Sequence, residues 1–117
     1  MIDLTEIEEQ KAEQLIRALT NRINTYSKET KVWDKAFQIF FRDIGIGYWI
    51  KISLNGLVEK VEKAIKKEES TVTISLTTEM LQKIFDGTVS PVIAVMKGQI
   101  QINGEAETLV KLMPAFT

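Results

Sequence analysis

Carboxylates are the side chains in this sequence with the most obvious capacity for chemistry. The chain has 16 Asp and Glu residues but no histidine and no cysteine. It therefore lacks the commonest general base near neutral pH, a thiol nucleophile and a zinc–thiolate site. The acidic pairs Glu59/Glu62 and Glu68/Glu69 lie among lysines, which is typical of a solvated surface, and no nucleophile elbow or phosphate loop is present. We predict no enzymatic activity, no metal and no cofactor.

Large apolar side chains in the last third of the chain point instead to a second kind of chemistry, the binding of an apolar ligand. They fall in three short predicted helices, and short helices pack loosely over a sheet and can leave a gap. Methionines suit a wall that adapts to varied ligands. The same side chains would equally fill an ordinary core, and the residues alone leave both interpretations open. The set comprises Leu81, Ile84, Phe85, Val92, Val95, Met96, Leu109, Leu112, Met113 and Phe116.

Composition predicts one ordinary globular domain over residues 1–117. Hydrophobic residues make up 44% and charged residues 26%, and the net charge of -1 argues against a nucleic-acid binder. The longest apolar run, residues 92–96, is far too short to span a membrane. Acidic residues such as Asp3 and Glu6 crowd the start, unlike a secretory signal. These features predict a soluble, cytoplasmic protein.

The first half of the chain predicts one helix followed by paired strands. The apolar spacing near the start favours an amphipathic helix, which either Asp3 or Thr5 can cap. Residues 36–42 and 46–54 are rich in β-branched and aromatic residues, and the second stretch alternates through to Leu54. The Asn-Gly pair that follows at positions 55 and 56 is a strong hairpin signal.

Residues 57–67 fit two secondary structures. Their Glu and Lys content and apolar spacing suit a helix, whereas the preceding hairpin signal requires a partner strand. We predict a strand here and a further strand over residues 71–76, where Val72, Ile74 and Leu76 share one face.

The last third predicts short helices around one more strand. A helix over residues 79–86 ends at Gly87. Ser90 and Pro91 mark the start of the next helix, as cap and first helical residue. Residues 99–103 alternate as a strand, and a closing helix starts near Ala106 and ends before Pro114.

Three local patterns together resemble the sterol-carrier-protein domain family, the SCP2-like non-specific lipid-transfer domains. Trp49 stands six residues before the Asn-Gly pair, and the strand ending at Leu76 leads into a short helix that finishes at Gly87. The chain departs from the family at Ser90, where asparagine is usual, and at Gln99 and Gln101, where lysines are common. The third pattern is the order and spacing of Ser90, Pro91, Ala94, Gly98, Ile102, Gly104, Lys111 and Leu112.

The resemblance implies an α+β fold, in which a five-stranded, mostly antiparallel sheet carries helices on one face and encloses a hydrophobic tunnel. Members of this family bind sterols, fatty acids, acyl-CoA or other lipids, so the implied partner is an apolar lipid-like ligand with transient membrane contact. The implied lipid-binding residues are the ten of the last third together with Trp49, Ile74, Leu76 and Ile102.

Two questions stay open from the sequence. The aromatic residues Trp33, Tyr48 and Trp49 are candidate ligand or interface contacts, although neighbours in a strand face opposite sides. An interaction or dimerisation module without a lipid is the alternative function, because an exposed apolar patch and a pocket lining look alike in sequence.

Overall fold

The computed structural model of the chain describes residues 3–26 and 34–116, so Trp33 lies outside the described residues. A five-stranded sheet forms the centre, in the spatial order β3-β2-β1-β4-β5. The β1–β4 pair is parallel and the other three pairs are antiparallel. The predicted α+β fold with a mostly antiparallel sheet is therefore confirmed. The strands are β1 (Lys35–Phe41), β2 (Ile46–Ile52), β3 (Val58–Glu62), β4 (Val72–Leu76) and β5 (Gln101–Gly104).

Helices pack on one face of this sheet. Asp3 caps the first helix by accepting a hydrogen bond from the Thr5 backbone N–H at 3.1 Å, so Asp3 is the cap of the two that the sequence allowed. The last helix continues through Pro114, which the sequence placed beyond it. Proline has no backbone N–H, so the helix forgoes one i→i−4 hydrogen bond in its last turn. The helices are α1 (Leu4–Thr25), α2 (Thr78–Phe85), α3 (Pro91–Met96) and α4 (Ala106–Phe116).

The main core lies between α1 and the centre of the sheet. Successive side chains of a strand alternate between faces, and the register places Phe37, Ile39 and Phe41 of β1 beside Ile50 and Tyr48 of β2 on the helix-covered side. All five are at least 96% buried. From α1, the apolar stripe Ala12, Leu15, Ile16, Leu19 and Ile23 packs into the same cluster.

Tyr48 is an aromatic of this core and not a ligand contact. Its ring meets Phe41 edge-on, with 6.0 Å between centroids. Burial raises the pKa of the Tyr48 hydroxyl, and the negative charge of Glu13 raises it further. The hydroxyl therefore stays protonated at neutral pH.

The stretch 57–67 begins as a strand and then crosses the sheet. The predicted strand is confirmed for Val58–Glu62, whereas Lys67 begins a short 3-10 turn. The chain must leave the strand because β3 lies at one edge and β4 pairs with β1 in parallel, which requires a crossover. Leu54 is likewise outside the sheet, beyond the end of β2, and is 60% exposed.

The crossover, residues 63–70, covers part of the sheet face opposite the helices. The buried Gln38 amide holds it: its Nε2 donates to Thr73 Oγ1 at 2.8 Å, and its Oε1 accepts from the Lys66 backbone N–H at 2.9 Å. Ile65 lies so close to Gly47 that a Cβ there would come within 2.7 Å of its Cγ1. Both faces of the central strands are therefore covered by protein.

Among the described residues, none of the helices combines the length and apolar character that crossing a bilayer requires.

Gly104→Ala tests the tight contact where β5 ends against β4. Gly104 has φ +126°, and a Cβ there would lie 2.2 Å from the Thr71 carbonyl oxygen. We expect the substitution to lower the free energy of unfolding by about 3 kcal/mol, measured by urea denaturation. Gly45→Ala is the control, because Gly45 has φ +67° with open space around it and should cost only about 1 kcal/mol. Equal losses would contradict this account.

Candidate functional site

An apolar cavity of about 240 Å³ lies between the β4–β5 side of the sheet and the helices α2, α3 and α4. Its walls contain no ionisable side chain among the described residues, so it offers dispersion and hydrophobic contact without a charge. The lining residues are Ile74, Leu76, Ile84, Pro91, Val92, Val95, Met96, Ile100, Ile102, Leu109, Met113 and Phe116.

Strands β4 and β5 form the floor of the cavity. Alternation along β4 turns Val72, Ile74 and Leu76 towards the helices, and all three are buried. Ile74 lies directly opposite Ile102 of β5, so the two side chains make a continuous apolar strip. Ile100, just before β5, faces the same way and is 95% buried.

Helix α3 forms the outer wall and is anchored at one position. Pro91 occupies its first turn, and Ala94 is its one fully buried residue. Val92, Val95 and Met96 line the cavity and yet are 55%, 39% and 80% exposed. The cavity therefore opens to solvent along this helix.

Helix α4 contributes side chains to both the cavity and the core. Leu109, Met113 and Phe116 recur at helical spacing along the face that lines the cavity. Leu112 and Ala115, on the neighbouring face, are buried in the main core cluster. Neighbouring faces of one helix thus line the cavity and pack in the core.

The Arg22 side chain joins α1 to the C-terminal ends of α2 and α4. Its guanidinium donates to the Phe85 carbonyl at 3.1 Å and to the Ala115 carbonyl at 3.4 Å, where a cation also suits the helix dipoles. It lies 4.2 Å above the Phe85 ring, which stacks on Phe116 at 6.4 Å between centroids. Through Phe85, these contacts support Phe116, which lines the cavity.

Most of the residues predicted from the sequence meet at this cavity. The structure brings together Ile74, Leu76, Ile84, Val92, Val95, Met96, Ile102, Leu109, Met113 and Phe116. Pro91 and Ile100 also line it and were missed, although the alternation that placed Ile102 also places Ile100 on the same face.

Four predicted residues do not line the cavity. Leu81 and Leu112 point into the main core, at 0% and 1% exposed. Phe85 lies behind Phe116 and supports it. Trp49 lies on the opposite face of the sheet, because the register puts its neighbours Tyr48 and Ile50 on the helix side.

Trp49 sits instead in a polar groove under the crossover. Its Nε1–H donates to the Glu69 carbonyl at 3.3 Å, and Lys66 Nζ lies 4.4 Å from its ring centroid. Hydrogen bonds from Lys60 and Lys66 lower the pKa of Glu62, and the bond to Glu62 raises that of Lys66. The positive charges of this groove are therefore balanced by its own carboxylates.

The same balance holds at the edge of that groove. Lys35 Nζ bonds Glu105 at 2.7 Å, which raises the Lys35 pKa, and Lys51 pairs with Asp34 at 2.5 Å. A bound anion would have to displace these carboxylates.

The family of the chain follows from its sequence as a whole. The model of the SCP-2 sterol transfer family matches residues 4–117, which is nearly the full length. The chain belongs to the SCP-2 sterol transfer family. No curated protein sequence matches it.

Solved structures agree with this family at the level of the fold. Sterol Carrier Protein 2 Like 2 from Aedes aegypti superposes with a TM-score of 0.68 at 21% identity, covering 89% of this chain and 94% of that one. The solution NMR structure of palmitated SCP2L2 from the same organism gives 0.58 at 20% identity, covering 83% and 89%. At these identities, the superpositions show that the fold is shared.

A much longer protein contains the same fold. The inverting sec-alkylsulfatase Pisa1 from Pseudomonas sp. matches with a TM-score of 0.65 at 17% identity. The match covers 77% of this SCP-2 chain but only 14% of the sulfatase. The SCP-2 fold thus occurs there as a small part of a larger chain.

Leu112→Ala and Leu109→Ala test the division of α4 between core and cavity. Leu112 is fully packed, so its truncation should lower the free energy of unfolding by about 2–5 kcal/mol. Leu109 borders open space, and its truncation should cost about 1 kcal/mol because fewer packing contacts are lost. Urea denaturation of both variants measures the difference. A larger loss for Leu109→Ala would contradict the assignment of the two faces.

Proposed function

We propose that this SCP-2 family chain acts as one non-catalytic lipid-binding domain, a carrier that holds a fatty acyl, sterol-like or isoprenoid ligand in the apolar cavity. The observation that carries the proposal is a cavity walled by apolar side chains and open along α3. A site of this kind can hold a hydrocarbon but supplies no acid, base or nucleophile. Binding is therefore the activity that it supports.

The size of the cavity limits what it encloses. Its volume of about 240 Å³ is below the roughly 300–1,000 Å³ of pockets that enclose drug-sized ligands. A hydrocarbon chain, or part of a larger sterol-like or isoprenoid ligand, fits this space. The polar head of such a ligand then projects into solvent, because the walls offer it no partner.

The expected affinity is modest. Each buried methylene contributes about 0.8 kcal/mol, so a chain of roughly twelve gives on the order of 10 kcal/mol before costs. Association costs at least about 4 kcal/mol. The difference of about 6 kcal/mol corresponds to a dissociation constant on the order of tens of micromolar. Methylene burial distinguishes poorly between chains, so we expect several lipids to bind.

We place this carrier in the cytoplasm. It makes transient contact with a lipid phase, because a hydrocarbon ligand has to be collected from a lipid phase and returned to one. The structure of palmitated SCP2L2 from Aedes aegypti supports the proposal, since that protein has the same fold. The sulfatase supports a second candidate, a docking or dimerisation module, because the fold occurs there within a larger protein.

Val95→Trp tests the carrier function. Val95 lines the cavity at its open side, so the indole can enter the cavity without replacing a core residue. We expect the affinity for a fluorescent fatty acid to fall about tenfold or more, because the added ring occupies space that the chain would fill. Native mass spectrometry should show a lipid adduct on the unmodified chain and less on the variant.

Ile93→Trp is the matched control, since Ile93 is on the same helix but does not line the cavity. It should bind the probe as the unmodified chain does. The carrier function would be rejected if the unmodified chain did not bind the fatty acid. It would also be rejected if Val95→Trp and Ile93→Trp lost saturable binding equally. Concentration-dependent association in sedimentation without any lipid adduct would favour the docking module.

A further inference from the structure

We infer that the outer face of α3 is a docking surface for a lipid bilayer, so that the open wall of the cavity is the part of the protein that meets the membrane. This inference rests on the proposed carrier function and assigns the contact to one helix.

Exposed aliphatic side chains define this surface. Val92, Ile93 and Met96 of α3 are 55%, 51% and 80% exposed. Met96 is the most exposed large apolar side chain among the described residues. Exposed apolar side chains grouped on one short helix mark a binding surface more often than scattered ones do.

The charge pattern around α3 favours a membrane. Residues 87–104 contain one ionisable side chain, Lys97, in a chain that is 26% charged overall. No carboxylate therefore has to be dehydrated when this segment approaches a bilayer, and the lysine stem lets its ammonium reach the headgroups. The Arg42 guanidinium, which donates to the Gln99 carbonyl at 2.8 Å, is a second cation beside this segment. Two cations add only a modest attraction, so contact should be driven mainly by apolar burial and depend weakly on salt.

The docking surface and the opening of the cavity coincide. Val92 and Met96 both line the cavity and reach solvent. The helix is attached inward through Ala94, whose carbonyl accepts from the backbone N–H groups of Gln99 at 2.9 Å and Ile100 at 3.3 Å. A bilayer against this face would place hydrocarbon at the opening, so that a ligand passes between two apolar phases without crossing water.

A second copy of the chain fits this surface less well. Helix α3 is six residues long, whereas a stable protein–protein interface uses about 20–30 residues a side. The segment also lacks the arginine and aromatic side chains that usually anchor protein interfaces.

The test is flotation of the full chain with phosphatidylcholine vesicles, at low and high salt. We expect the unmodified chain to float with the vesicles at both salt concentrations. Ile93→Glu should weaken the partition coefficient about tenfold or more, because it places a charge in the apolar contact. Leu54→Glu is the matched control, since Leu54 is 60% exposed in the β2–β3 hairpin, and it should float like the unmodified chain.

The inference would be overturned if the unmodified chain did not float, or if both variants lost the same share of vesicle binding. It would also be overturned if sedimentation showed self-association that Ile93→Glu abolishes, without any vesicle binding. The carrier function is read separately by fatty-acid titration of Ile93→Glu, because Ile93 does not line the cavity. If Ile93→Glu bound the fatty acid and also floated like the unmodified chain, the docking surface alone would be overturned.

Discussion

The cavity depends on how little of α3 is buried. A helix of six residues with Ala94 as its one buried position cannot press its other apolar side chains into the sheet. Val92, Val95 and Met96 therefore stand around a gap that close packing elsewhere in the protein would have filled.

The remainder of the fold supplies the rigid frame for that wall. The crossover, tied to the buried Gln38 amide, covers the back of the sheet, and α1 covers the front of its central strands. Arg22 fixes the C-terminal ends of α2 and α4 to α1. These contacts involve none of the side chains that line the cavity. The SCP-2 fold thus combines a stable core with one loosely packed corner.

Sequence reasoning found much of this site because its strongest signals are local. Alternation in β4 placed Ile74 and Leu76 on one face, and Ser90 followed by Pro91 located the start of α3. It could not tell that Leu112 packs in the core. Neighbouring faces of α4 meet the core and the cavity, and the position of α1 decides which face is which. Trp49 was misplaced for a similar reason: alternation separates two faces, but only the strand register shows which one the helices cover.

Methyl NMR of the protein titrated with palmitic acid is the most direct test of the central claim that a hydrocarbon chain occupies this gap. The account predicts saturable shifts of the methyl resonances of Ile74, Val95, Met96 and Met113, which line the cavity. The methyl groups of Leu19, in the core behind them, should stay in place. Shifts centred on the groove around Trp49, or no saturable shift of any lining methyl group, would contradict it.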